Sequence, residues 1–208
     1  MARYKPGHRE QTRAAIVDAA SRVLRDKGFA EVSIGDVMNA VGLTHGGFYA
    51  HFADKTDMLV AAVEQAFVES PKNFSALAAM ANAAANPTLV ATHYLSDKRV
   101  DDAATGCPAA AFLSEIPRQE GAVRAAFVRG AEETRKALAA VRGLSNDGED
   151  RSWAALSMLF GGLAMMRAVP DVSTRALIRT QIGDALQALA ATRPVQKKRA
   201  AGAMLKSP

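Results

Sequence analysis

Two places in this 208-residue chain carry side chains whose type and spacing could do chemistry. The first is Thr44-His45-Gly46-Gly47-Phe48-Tyr49-Ala50-His51, which concentrates hydrogen-bonding side chains around a glycine pair. With Thr44 as the N-cap and about 100° of rotation per residue, Phe48 and Phe52 share one face and Gly46, Gly47 and Ala50 the other. His45 and Tyr49, four apart, flank the small face on one side, and His51 flanks it on the other. Such an element has an aromatic anchor behind and almost no side chain in front, so its backbone can approach a partner closely. A helix placed in the DNA major groove needs that shape: its N-terminal residues lie nearest the base edges, and donors beside it hold phosphates. Tyr49 and His51 are then phosphate donors, Lys55 adds a charge-assisted contact, His45 is the main side chain able to read a base, and Ala50 can meet a thymine methyl group. His45 and His51, six residues apart, fall on different faces, which argues against a shared metal site. A Gly-Gly pair is equally at home in a loop, so these residues alone leave the helix undecided.

The second place is Cys107, the only cysteine, followed by Pro108. Proline suits the first position of a helix, which makes Cys107 its N-cap. A thiol facing the positive end of a helix dipole has its pKa lowered and its thiolate favoured. The plainer reading is a small cap residue that happens to be a thiol. One cysteine forms no intramolecular disulfide, which points to a reducing compartment, and with no apolar leader in MARYKPGHREQTR and no run of 18 apolar residues the expected location is the cytoplasm. The net charge of +5 is weak evidence for nucleic acid. The basic excess lies in residues 193–208, which read as a disordered tail; the remainder holds twenty-one basic and twenty-one acidic groups.

The elements that must position these residues are helices. Alanine, leucine, glutamate and arginine recur at spacings of three and four and β-branched alternation is nearly absent, so the expected fold is all-α, with about nine helices. The first runs from about His8 to Lys27 and stops at Gly28. Ser33 and Asp36 form a near capping box for the second, which ends at Gly42. Thr44 opens the third and Asp54 the fourth, the latter continuing to about Ser70. Two short helices joined through Gly42 and Leu43 meet the requirement of a helix-turn-helix. Further helices are expected at about 72–95, 108–116, 119–142, 150–169 and 173–192. A boundary near Ser70 separates an N-terminal domain, 1–70, from a helical body, 71–192.

The segment Thr12 to Phe67 closely resembles the DNA-binding domain of the TetR family of bacterial transcriptional repressors, through TR..I..AA..V....GF..VS..DV...VGL..G.FY.HF..K..ML. The resemblance covers about a quarter of the chain. It implies that positions matching Tyr49 and Lys55 hold phosphates and that those matching Ser33, Thr44, His45 and Gly47 lie against DNA. Histidine and glycine stand at 45 and 47 where many members have lysine or serine and threonine, serine or alanine, so the operator sequence does not carry over. Membership also implies a homodimer on a palindrome, a ligand pocket in the body, no cofactor, and a dimer interface made by the last two helices, about 150–192. TGCPAAAF resembles a segment in one subset of these repressors, and thiol modification is the inducing signal in some regulators with a cysteine near here. Cys107, His93, Tyr94 and Phe112 are the candidate sensor or ligand residues. The resulting expectation is a ligand-responsive repressor of operator DNA, outside any membrane. A helical binding module without DNA function and an enzyme using Cys107 as nucleophile with His93 as base are the alternatives.

Overall fold

A computed structural model describes residues 7–146 and 149–191; the basic tail, 193–208, lies outside the described residues. Ten α-helices succeed one another among them: α1 (His8–Lys27), α2 (Ile34–Ala40), α3 (Lys55–Phe67), α4 (Ser70–Ala83), α5 (Thr88–Tyr94), α6 (Asp97–Asp101), α7 (Pro108–Phe112), α8 (Gly121–Leu138), α9 (Ser152–Ala168) and α10 (Val172–Ala191). Short 3-10 helices occupy His45–Ala50 and Ile116–Arg118. A two-residue antiparallel ladder, Ser145–Asn146 with Glu149–Asp150, joins α8 to α9. Apart from that ladder the chain is all-α.

The first three α-helices and the 3-10 helix between them form the N-terminal domain. α1 ends where Gly28 adopts φ 82°, a left-handed conformation that costs glycine nothing. At the start of α2 the Ser33 hydroxyl accepts from the Asp36 N–H at 3.0 Å while the Asp36 carboxylate accepts from the Ser33 N–H at 3.1 Å. This reciprocal box satisfies two otherwise orphaned donors. α1 packs across α3, and Ile16, Leu24, Val37, Met38, Phe48 and Met58 close the core between them.

Several boundaries differ from the sequence expectation, each for a local reason. The helix expected from 72 begins earlier, at Ser70, with Pro71 in its first turn, where its missing N–H is no loss. The expected helix over 72–95 is broken by Pro87 and by Ala85, at φ 49°, into α4 and α5. The stretch read as a loop after Ser96 contains α6.

The body is built on α8, which packs against α3, α4 and α9, while α10 lies across α5 and α9. α8 comes close to α3 because residue 130 is glycine. A methyl group there would overlap the Phe67 ring, which meets Phe127 edge-on at 5.5 Å. The two domains therefore share a tightly packed seam.

Candidate nucleic-acid interface

The element expected to face DNA is a 3-10 helix, His45–Ala50, and not the α-helix expected from Thr44. Thr44 is its N-cap by position, extended at φ −82°, ψ 152°, but its side chain makes no cap hydrogen bond. The six residues His45–Ala50 wind more tightly than an α-helix, which brings the Gly47 N–H to the Thr44 carbonyl at 3.0 Å. The two-sided character survives the change of pitch. Phe48 and Phe52 are buried and stacked at 5.3 Å, while Thr44, His45, Gly46, Tyr49 and Ala50 face solvent. Neither glycine has a left-handed backbone. A side chain at Gly46 would meet nothing, and one at Gly47 would only touch Met38. The pair is thus not required by the fold, and its value is the flat outer surface.

Tyr49 is 63% exposed and is held edge-on against Phe48 at 5.2 Å, with His45 edge-on to it at 6.2 Å. Packing of its ring on an immobile neighbour fixes the direction of its hydroxyl. Lys55 opens α3 immediately after the cap Asp54, whose carboxylate accepts from the Asp57 N–H at 2.8 Å. Ser33 is exposed, but its hydroxyl is already committed to Asp36, donating at 2.7 Å.

His51 is half-buried and its Nδ1 has no partner. Burial, then repulsion from Arg9, Arg13 and His8, pushes its pKa down, which favours the neutral ring, itself still able to donate one N–H. The cations that surround it are what the sequence reading missed. Arg9 donates to the Ala50 carbonyl at 2.6 Å and the Arg13 guanidinium lies 4.8 Å from the Phe52 ring centroid. Both come from α1 and bracket the end of the 3-10 helix, extending the positive edge. Their spacing, four residues apart on one helix face, was the available signal.

The body residues assigned as sensor or ligand groups do not form one site. Tyr94 and Cys107 both line a cavity of about 190 Å³ between α1 and the body. His93 is exposed, with Nδ1 at 3.0 Å from the Leu89 carbonyl, and does not line that cavity. Phe112 is wholly buried and packs edge-on against Phe29 at 5.2 Å, so it is a strut between domains. Cys107 does precede α7 as its N-cap, with no side-chain cap bond. The expected activation of its thiol is reversed: burial pushes the pKa up and outweighs the lowering by Tyr94 and the nearby backbone N–H groups. A five-residue helix offers little dipole to oppose that.

Polar links tie the N-terminal domain to the body, among them Arg129 of α8 donating to Glu64 of α3 at 2.6 Å. The Glu115 carboxylate accepts from the Phe29 and Ala30 N–H groups at 3.0 and 3.2 Å. Arg25 donates to the Gly106 carbonyl at 3.1 Å, and Thr56 donates to Glu120 at 3.1 Å.

The N-terminal domain is a helix-turn-helix with an exposed, glycine-flattened second element and basic flanks, seated on a larger helical body. Residues 16–62 match the family model for bacterial regulatory proteins of the tetR family, so the likeness to that family is carried by the N-terminal domain. The chain is 38% identical over 58 residues to the HTH-type transcriptional regulator AcrR of Shigella flexneri, a stretch covering 28% of this chain and 27% of that protein. The aligned part is thus about a quarter of the relative, confined to the DNA-binding domain. The fold as a whole is matched more broadly. A TetR-family regulator from Cytophaga hutchinsonii superposes with a TM-score of 0.72 at 18% identity, over 91% of this chain and 100% of that one. The reduced form of NemR from E. coli superposes at 0.69 and 16%, over 89% and 100%.

Proposed function

We propose that the protein is a homodimeric repressor that binds palindromic operator DNA through the 3-10 helix of each copy and is released by a small-molecule effector. The observation that carries this reading is the interface itself. Tyr49 and His45 stand exposed on a face whose back is locked by Phe48 and Phe52, with Arg9, Arg13 and Lys55 around it. Phosphate contacts supply affinity and base-edge contacts supply choice, and this face offers both kinds. Ser33, Thr44, His45, Gly46, Gly47, Tyr49 and Lys55 form the contact surface.

The dimer is supported by the character of the last two helices. α10 buries only Gly183 and Leu186, while Val172 and Leu177 on it and Trp153 and Met165 on α9 are large, apolar and exposed. Scattered exposed hydrophobes need no explanation, but four of them on two helices that pack together form a patch suited to a second copy. Gly161 presents open backbone to the same side, whereas Gly162 is where Ile182 of α10 presses in.

A small-molecule effector is favoured over thiol modification because Cys107 is buried and its thiolate disfavoured. The enzyme alternative loses its base, since His93 faces away from the cavity that holds Cys107. Among the described residues no helix is long and apolar enough to cross a membrane.

The test is electrophoretic mobility shift with duplexes selected from a random pool. A palindromic duplex should be retained with an affinity that falls steeply with salt, and Tyr49→Ala or Lys55→Ala should abolish retention. A protein that retains no duplex at low salt, or variants that bind as the parent does, would overturn the reading.

A further inference from the structure

The cavity between α1 and the body holds two hydroxyls that should not be there without a partner. Ser21 Oγ, from the DNA-binding domain, and the Tyr94 hydroxyl, from α5, both lie on its wall, are 0% and 2% exposed, and make no hydrogen bond. The Cys107 thiol stands beside Tyr94, but a thiol is a weak donor and a weak acceptor. A buried polar group left unpaired costs about 1–3 kcal/mol, and two such groups facing one void mark a place where an occupant supplies the missing bonds.

The charges around the void state the sign of that occupant. Arg25 and Arg99 line it, and neither lies within ion-pair distance of a carboxylate among the described residues. Arg25 uses its donors on the Ser21 and Gly106 carbonyls, while the Arg99 guanidinium rests 5.7 Å from the Tyr94 ring centroid. The two acids on the wall are already neutralised: Asp18 pairs with Arg22 at 3.1 Å and Glu69 with Lys72 at 2.9 Å. Burial and the neighbouring Arg22 push the Arg25 pKa down, outweighing the opposite pull of Asp18 and Asp102. Two aromatic rings, Phe74 and Tyr94, stand 4.9 Å apart on the wall, among small and polar residues such as Ala66, Gln65 and Asn73. A dry cavity of about 150 Å³ holds a benzene ring, so about 190 Å³ accommodates one ring with a small substituent.

We propose that this cavity is a binding site for a single-ring aromatic carboxylate, its carboxylate held by Arg25 and Arg99 and its ring and polar substituent by Phe74, Tyr94 and Ser21. The ligand touches α1 on one side and α5 and α6 on the other, so its binding biases how the DNA-binding domain sits on the body. That regulatory consequence rests on the function proposed above; the binding site does not.

Isothermal titration of the full-length protein with 4-hydroxybenzoate, against the neutral 4-hydroxybenzyl alcohol, tests the site. The acid should saturate at one molecule per chain and bind at least about tenfold tighter than the alcohol. Arg99→Gln should remove that preference. Tyr94→Phe should weaken the acid about tenfold while leaving the melting temperature equal or higher, because it deletes an unpaired buried hydroxyl; a purely structural tyrosine would lower it. Absence of saturable binding, equal affinity for acid and alcohol, or variants that bind as the parent does would overturn the proposal. Binding of the acid by a protein that retains no duplex would leave the site standing and sink the repressor reading instead.

Discussion

Glu115 should hold the turn after α1 against the body, and the size of its effect follows from its two bonds. Its Oε2 accepts from the Phe29 N–H at 3.0 Å and the Ala30 N–H at 3.2 Å. Phe29 is buried and Ala30 is exposed, so in Glu115→Ala the Ala30 amide recovers a water while the Phe29 amide is left with poor access to one. A hydrogen bond to a charged acceptor contributes about 1.5–3 kcal/mol, and the half-buried carboxylate places this one near the lower end, about 2 kcal/mol. At about 1.4 kcal/mol per decade this corresponds to roughly thirtyfold faster opening of the Phe29 amide. Glu115→Gln keeps an oxygen but not the charge; it should lose about 1 kcal/mol, about fivefold. Amide hydrogen exchange read by NMR measures these factors residue by residue. The internal control is the Gly28 N–H, which donates within its own helix to the Leu24 carbonyl at 2.9 Å and should exchange unchanged. A Phe29 amide within threefold of the parent in Glu115→Ala would refute the reasoning. So would a Gly28 amide accelerated equally, because the whole turn would then have loosened.

Acidification should loosen the starts of α2 and α10. The Asp36 carboxyl is held at about 2, below its ordinary 3.8, by its Ser33 hydrogen bonds and by Lys27, and Asp171 is held at about 2 by Thr174 and Ser173. A depressed folded pKa contributes stability above 3.8 that is lost as pH falls through about 2. Circular dichroism should show part of the helical signal titrating in that window, and Asp36→Asn should reduce that step while Asp36→Asn with Asp171→Asn should abolish it. Leu177→Glu, placing a carboxylate on the exposed apolar face of α10, should weaken self-association about a hundredfold or more, seen as a halved mass in light scattering; an unchanged mass would remove α10 from the interface. Tyr49→Phe should weaken all duplexes by a similar factor, about tenfold for one phosphate bond. His45→Ala should flatten the preference among duplexes by about 1–3 kcal/mol at its base pair; equal effects of both changes on every duplex would overturn their roles.

The N-terminal domain was legible because its signals are local. Gly28 stops α1, the Ser33–Asp36 box starts α2, and Asp54 starts α3, each within a few residues of the bonds it makes. Phe48 and Phe52 were read as core from spacing alone, and they are. What the spacing could not give was the pitch of the segment between them. A 3-10 helix of six residues and the first turns of an α-helix place an aromatic anchor and a small face almost identically, so the pattern of residues fits both. The environment of His51 was not legible because it comes from another element: beside burial, the charges that lower its pKa are Arg9, Arg13 and His8 on α1.

The body was less legible for the same reason, amplified by distance in sequence. Cys107 looked activated when judged against the helix it precedes, yet burial among distant elements raises its pKa and outweighs the lowering by that helix's N–H groups and by Tyr94 of α5. The cavity beside it is assembled from Ser21 and Arg25 on α1, Phe74 on α4, Tyr94 on α5 and Arg99 on α6, none of which forms a motif with another. Ser21 read alone is a small residue on a helix's inner face, and Tyr94 read alone is a buried aromatic. Only their shared void makes each hydroxyl an anomaly. The same arrangement explains why coupling belongs here: Arg25, whose backbone is in the DNA-binding domain, already binds the Gly106 carbonyl, and Gly106 adjoins Cys107 on the cavity wall. A ligand anion that competes for that guanidinium acts on a link between the domains directly, with no need to be transmitted through the core of the body.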